Sequence, residues 1–264
     1  MLLLVALGGL AGCGRFGFAP AELDAPLVPG KDGFVPSDGN RAFDVALGVG
    51  SYAMTDTNVT YIALGGTVIS GSSTADEQTY PLALPFTFAF YGVAYNSITV
   101  GADGWLSFTG AISGATPWVN PCPLDAVAQD AAVAVFWDDL VARSSGTTIN
   151  YAASGTAPNR KFAVEWSHFT AWYQYGTSYF DQDTNVTQQV VLHESGVIDL
   201  HYGPRTAPSM NYDCGVGRHQ GCSATVGLEA PGTTSMTTQC GTASGPAPGY
   251  TALVPGRMLS FTPM

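Results

Sequence analysis

What this sequence has least of is charge. Only 11% of its 264 residues are Asp, Glu, Lys or Arg, with 9 basic against 20 acidic, a formal net charge of −11. An average soluble domain carries about 25% charged residues, so solubility here rests on Gly, Ser, Thr, Asn and Gln. Arg160-Lys161 is the densest basic point. Nucleic-acid affinity comes mostly from Lys and Arg neutralising phosphates, which argues against DNA or RNA as a partner. Long apolar runs are missing too: residues 2–10 (Leu-Leu-Leu-Val-Ala-Leu-Gly-Gly-Leu) fall short of the roughly 20 residues that span a bilayer. The chain has no G-x-S-x-G elbow, no H-E-x-x-H and no Walker-type loop, patterns that place a nucleophile, a catalytic zinc or a nucleotide phosphate. Helical periodicity is nearly absent, and no fixed repeat stands out, which sets aside propellers and solenoids.

What is present points to short strands and tight turns. Hydrophobic residues make up 46%, with 32 Gly and 17 Pro, a balance that supplies a core and many turns. The clearest strand is 81–91, where Leu82, Leu84, Phe86, Phe88 and Phe90 share one face and Ala83, Thr87 and Ala89 the other. Strands are expected also at 43–49, 59–64, 67–69, 96–100, 104–108, 132–137, 147–151, 162–171, 186–193, 197–202, 225–229, 236–239 and 258–262. Asp103-Gly104 and Glu194-Ser195-Gly196 read as hairpin turns. Trp105, Trp137 and Trp166 fall inside apolar strands, where large aromatics anchor a core. The fold class is all-β, a two-sheet antiparallel, jelly-roll-like β-sandwich following a flexible N-terminal tether.

The N-terminus carries an address. The apolar run followed by small residues fits a secretory signal, and Leu10-Ala11-Gly12-Cys13 resembles the lipobox of bacterial lipoproteins. That resemblance implies cleavage before Cys13 and acylation of its thiol, and Gly14, standing where an inner-membrane retention signal has Asp, leans the chain to the outer membrane. No Lys or Arg precedes the run, a departure from the usual signal. Residues 14–40, rich in Gly, Pro, Ala and Asp, read as a flexible tether. The organisation is therefore a signal peptide at 1–12, a lipid-anchored tether at 13–40 and a single sandwich domain at 41–264. Setting Cys13 aside leaves Cys122, Cys214, Cys222 and Cys240. In an oxidising compartment these suggest two disulfides, with three connectivities open. Local closure between Cys214 and Cys222 is the easiest, with Cys122 and Cys240 as the long-range pair. A metal site from Cys214, Cys222 and His219 would lack the C-x-x-C element of zinc sites.

Three blocks, Pro85-Phe86-Thr87-Phe88-Ala89-Phe90-Tyr91-Gly92, Val100-Gly101-Ala102-Asp103-Gly104-Trp105-Leu106-Ser107-Phe108 and Ala134-Val135-Phe136-Trp137-Asp138-Asp139-Leu140, resemble the nidogen-type modules of secreted bacterial proteins. Later segments continue it in order, among them Arg160-Lys161-Phe162-Ala163-Val164-Glu165-Trp166 and Gly196-Val197-Ile198-Asp199-Leu200-His201-Tyr202-Gly203. The resemblance covers about residues 78–262. It implies a β-sandwich with an extracellular adhesive or accessory role, and it implies no catalytic site.

Several residues could carry chemistry. Asp138-Asp139 ends an apolar strand, where adjacent carboxylates could give oxygen ligands to calcium or simply bond loop amides. Asp181-Gln182-Asp183-Thr184-Asn185 alternates oxygen ligands like an EF-hand, but Val186 replaces its Gly and no closing Glu follows; a looser calcium loop at Asp181 and Asp183 stays open. The four histidines are His168, His193, His201 and His219; His193 and His201 lie on two arms of one hairpin and read as solvent-facing. The segment 172–180 reads as a loop between strands, and its Trp172, Tyr173, Tyr175 and Tyr179 are the candidate ligand contacts, suited to stacking on sugar rings or to a protein partner. The expectation is a non-catalytic, lipid-anchored binding module for a surface polysaccharide or protein, with no cofactor required and calcium as the one candidate ion. The alternatives are a structural surface protein that assembles with itself or a larger complex, and a secreted hydrolase.

Overall fold

The computed structural model describes residues 50–264 apart from 72–74, 111–117, 125–130, 143–145, 176–177, 182–184, 208–217, 233, 243–244 and 247–249; of 173–175, 178–181, 242, 245 and 246 the backbone alone is described. Cys13, Cys214, Asp183 and the expected strand 43–49 lie outside these residues. Among the described residues seventeen strands run in chain order: β1 (Tyr52–Asn58), β2 (Thr67–Gly71), β3 (Thr79–Phe90), β4 (Val93–Gly101), β5 (Trp105–Ser107), β6 (Ala132–Trp137), β7 (Leu140–Val141), β8 (Thr148–Ser154), β9 (Lys161–Tyr175), β10 (Ser178–Asp181), β11 (Val186–His193), β12 (Ile198–Tyr202), β13 (Thr225–Glu229), β14 (Ser235–Gln239), β15 (Gly241–Thr242), β16 (Gly245–Pro246) and β17 (Arg257–Pro263). They form a large sheet in the order β1-β17-β12-β11-β9-β8-β2, with β7 and β10 paired to β9, a six-stranded sheet ordered β14-β13-β6-β5-β4-β3, and a separate two-stranded pair β15-β16. All pairings are antiparallel. The expected all-β sandwich is the fold.

The period of two along β3 is realised: Leu84, Phe86, Phe88 and Phe90 are buried while every intervening residue is exposed. Phe88 and Phe90 stack on Phe108 at 5.4 and 4.6 Å. Opposite them, Phe162, Val164 and Trp166 of β9, Val190 and Leu192 of β11 and Leu200 and Tyr202 of β12 fill the inner face of the large sheet. Two of these aromatics end in a polar atom that crosses the core. Trp166 donates Nε1–H to the Gly101 carbonyl of β4 at 2.8 Å, and Tyr202 donates its hydroxyl to the Val135 carbonyl of β6 at 3.0 Å. Both hairpins expected from Asp103-Gly104 and Glu194-Ser195-Gly196 form, closing on the pairs Gly101↔Trp105 and Leu192↔Ile198.

The outer face of the six-stranded sheet carries a second, smaller core. Trp105 and Trp137 lie 5.8 Å apart and pack with Leu124 and Ala134. Gly101, opposite Trp105, is needed there, because a Cβ would come within 2.1 Å of the indole. The segment bearing Leu124 is stitched down by Asn120, whose amide donates to Ser223 O, Thr225 Oγ1 and Gly241 O. The disulfide Cys122–Cys240, linking residues 118 apart, fastens it. Cys222 is also disulfide-bonded.

Two sequence expectations need correction, and one strand was not expected. Residues 59–64 are not a strand; the segment crosses the outer face of the large sheet as a strap. Its polar groups are taken by one carboxylate: Tyr61 Oη and Leu64 N donate to Glu165 Oε2, the latter at 2.9 Å, and Gln189 Nε2 joins Glu165 Oε2 to Ile62 O. Residues 172–180 are not a loop, since β9 runs on to Tyr175 and turns back into β10, pairing Ser178↔Tyr175 through Asp181↔Trp172. The strand β1 was not foreseen, because six of its seven residues are exposed and show no alternation.

Replacing Trp166 by Phe keeps an aromatic ring and removes the cross-sheet donor, stranding a buried carbonyl. Loss of about 2 kcal/mol is expected, read as a lower urea midpoint with an unchanged slope.

Candidate functional site at one end of the sandwich

At the end of the sandwich where β6 leaves the core, four segments meet. Gly104, at φ +79°, accepts the amides of Val135 and Phe136 at 3.0 Å each, which seats the Asp103 turn against the end of β6. A Cβ at Gly104 would lie 2.2 Å from the Phe136 carbonyl, so the approach requires glycine. Asp103 then caps the next bend, its Oδ1 accepting Leu140 N at 3.1 Å. The chain continues through Asp138 and Asp139 into β7, which pairs Leu140↔Ala171 on β9. Trp172 N donates to Asp139 O at 2.7 Å. Trp172 pairs with Asp181 on its other side, so the backbone sets the Asp139 and Asp181 positions on either side of Trp172.

The carboxylates there live in different surroundings. Asp138 is buried and committed: Ser223 donates its hydroxyl to Oδ2, Asp139 N donates to Oδ1 at 3.0 Å, and Arg218 approaches Oδ1 at 3.4 Å. Arg218, from a short 3-10 turn Arg218–Gln220, also donates to the Trp172 carbonyl at 2.8 Å. One guanidinium thus ties the acidic pair to the aromatic strand. Asp139 is only partly buried, yet burial first, then the charges of Asp138 and Asp76, push its carboxyl up to about 7, against a partial pull from Arg218. Asp103 is fully buried, with Oδ2 lacking any partner, and burial raises its carboxyl well above the ordinary range.

The structure therefore brings together two candidates that were separate in the sequence, Asp138-Asp139 and the aromatic segment at Trp172. Trp172 is half-buried; the side chains of Tyr173, Tyr175, Tyr179 and Asp181 lie outside the described residues. Among the described residues no three His, Cys, Asp or Glu side chains are grouped so as to hold a metal ion.

A family model described as NIDO related matches residues 51–263. The chain belongs to the NIDO-related family. No curated protein and no solved structure gave a match. The matched span takes in both sheets of this NIDO-related domain, including β1 and the strap that the sequence reading had placed outside the resemblance. A NIDO-related domain with a disulfide is consistent with an extracytoplasmic protein, and the family suggests an extracellular binding module.

Sequence reasoning missed Glu165, Arg205 and Arg218. Glu165 had a signal, a lone acid in an apolar strand, but its partners Tyr61 and Leu64 lie 104 and 101 residues away. The histidine hairpin is wired unlike a hydrolase triad. His193 Nε2 meets Asp199 Oδ2 at 2.7 Å, while Ser260 Oγ donates to Asp199 Oδ1 at 2.6 Å. The carboxylate stands between serine and imidazole, so the imidazole does not face the hydroxyl as a general base would. His193 and His201 are half-buried rather than open to solvent.

Raised carboxyl groups give a signed pH dependence. Asp139 favours the folded state fully below its unfolded value of 3.8, and that contribution is lost as pH rises through about 7. Discounted for solvent screening, the loss is on the order of 1 kcal/mol. Urea midpoints should fall between these pH values, and Asp139→Asn should flatten the fall and raise the midpoint at pH 8.

Proposed function

We propose that this NIDO-related domain is a non-catalytic recognition module, held on the outer membrane by a lipid on Cys13 and binding a surface polysaccharide or protein through the β9–β10 hairpin. The observation that carries this reading is the setting of Trp172: a half-buried residue on the β9–β10 hairpin, its backbone amide and carbonyl held by Asp139 and Arg218. A half-buried aromatic on a backbone held in place is the kind of anchor that dominates recognition sites. Tyr173, Tyr175 and Tyr179 belong to the same hairpin. The Cys122–Cys240 disulfide supports an oxidising location. No cofactor is part of this reading, and calcium enters only as a variable in its test.

A structural role in self-assembly has one observation in its favour: among the described strands β1 is an edge strand, paired on one side to β17 and exposed along six of seven residues, the kind of edge on which another chain can pair. A hydrolase is disfavoured by the order of Ser260, Asp199 and His193.

The test is a binding isotherm of the whole protein on isolated cell-surface material, with calcium and with chelator. Trp172→Ala and Tyr175→Ala should each weaken binding at least about tenfold while leaving the melting temperature near that of the parent. Unchanged binding in both variants would remove the hairpin from the account, and concentration-dependent association without binding would favour self-assembly.

A further inference from the structure

Four arginines are described, and three of them have a carboxylate: Arg160 with Glu194, Arg218 with Asp138, Arg257 with Asp56. Arg205 has none. Its guanidinium lies 5.0 Å from the ring centre of Phe136 and 5.2 Å from that of Tyr202. Nη1 donates to His219 O at 3.0 Å and Nη2 to Thr187 O at 3.3 Å. Two rings and two carbonyls fix the plane of the fork without neutralising it, and Nε–H is buried with no acceptor. Burial pushes the guanidinium down to about 10, which leaves it charged at neutral pH, and the groups that offset this are the phenols of Tyr202, Tyr61 and Tyr250. His219, whose carbonyl holds Nη1, is buried with Nδ1 also lacking a partner. Burial and the Arg205 charge lower its proton affinity, so it is neutral at pH 7 and can present Nδ1 as a donor.

A cation fixed in place, partly desolvated and uncompensated in a chain of net charge −11 is costly unless an anion completes it. We infer that Arg205 anchors a site for the carboxylate of an acidic sugar, with His219 as a second donor and the phenols of Tyr61 and Tyr250 near the guanidinium. A guanidinium fork matches a carboxylate with two parallel hydrogen bonds, and flat phenol rings suit a sugar face better than an extended peptide. The inference names a ligand class within the proposed recognition function and rests on that reading, but it uses different residues from the Trp172 hairpin.

The experiment titrates the whole protein with oligogalacturonate and with the matched neutral galactose oligomer. The parent should bind the acidic oligomer saturably and at least about tenfold more tightly than the neutral one, since each charge-assisted pair contributes substantially to discrimination. Arg205→Met should abolish that preference while keeping or raising the melting temperature, because it removes an unpaired buried charge. Should that variant not fold, Arg205→Lys, which keeps the charge but loses the fork, should still lose at least about tenfold. Equal affinity for the two oligomers, no binding of either, or full affinity in a folded Arg205 variant would overturn the inference. The surface isotherm of Arg205→Met separates the two claims: Trp172-dependent binding that survives this substitution would leave the recognition module standing and remove the acidic-sugar site.

Discussion

The spacing and register of the sandwich depend on aromatic side chains that span it and must satisfy a polar tip on the far side. Trp166 and Tyr202 grow from the large sheet, and their single donors end on carbonyls of β4 and β6. A buried donor without a partner costs about as much as several methylene groups gain by burial. The two sheets can therefore neither slide nor spread without losing both bonds. Tyr52 does similar work at the rim, its hydroxyl between Ala89 O at 3.4 Å and Gly196 O at 3.3 Å. Everything positioned at the ends of β4, β6, β9 and β12 inherits its place from these crossings.

Scarcity of charge makes each charged side chain informative. Arg160 clamps one seam, paired with Glu194 and donating to Pro85 O of β3 at 2.7 Å, while lying over the Phe86 ring. Arg257 joins β17 to β1 through Asp56 at 2.9 Å. Arg218, within the 3-10 turn, and Arg205, which donates to the turn's His219 carbonyl, both occupy the other end, one tied to Asp138 and one to carbonyls alone. That end is where carboxyl groups are held above their ordinary range and where β9 runs past the sheet into an aromatic hairpin. Raised carboxyl groups and a buried guanidinium without a carboxylate, gathered at one rim, are the physical basis for reading function there.

How much of this was legible follows from how far apart the partners lie in sequence. The strand β3 announces itself because one face is core and the other solvent, β6 coincides with its apolar run, and β11 and β13 keep the bounds expected from the sequence. The strap at 59–64 has the same apolar look, yet its fate is set by a carboxylate about a hundred residues downstream. The hairpin β9–β10 carries a local signal, Gly176-Thr177 between Tyr175 and Ser178, the two-residue spacing of a tight turn. Its clustered aromatics masked the strand alternation. Asp138-Asp139 stands out as a pair, but only the fold separates a carboxylate committed to Arg218 and Ser223 from one left to titrate. The long-range cysteine pair expected between Cys122 and Cys240 does form, where it pins a segment over Trp105 and Trp137.

The most direct test of the central claim is the saturation isotherm of the whole protein on isolated cell-surface material, compared with Trp172→Ala. The account predicts saturable binding by the parent and its loss, in a folded protein, when the indole is removed. Binding that persists unchanged in the variant, or no saturable binding by the parent, would contradict it.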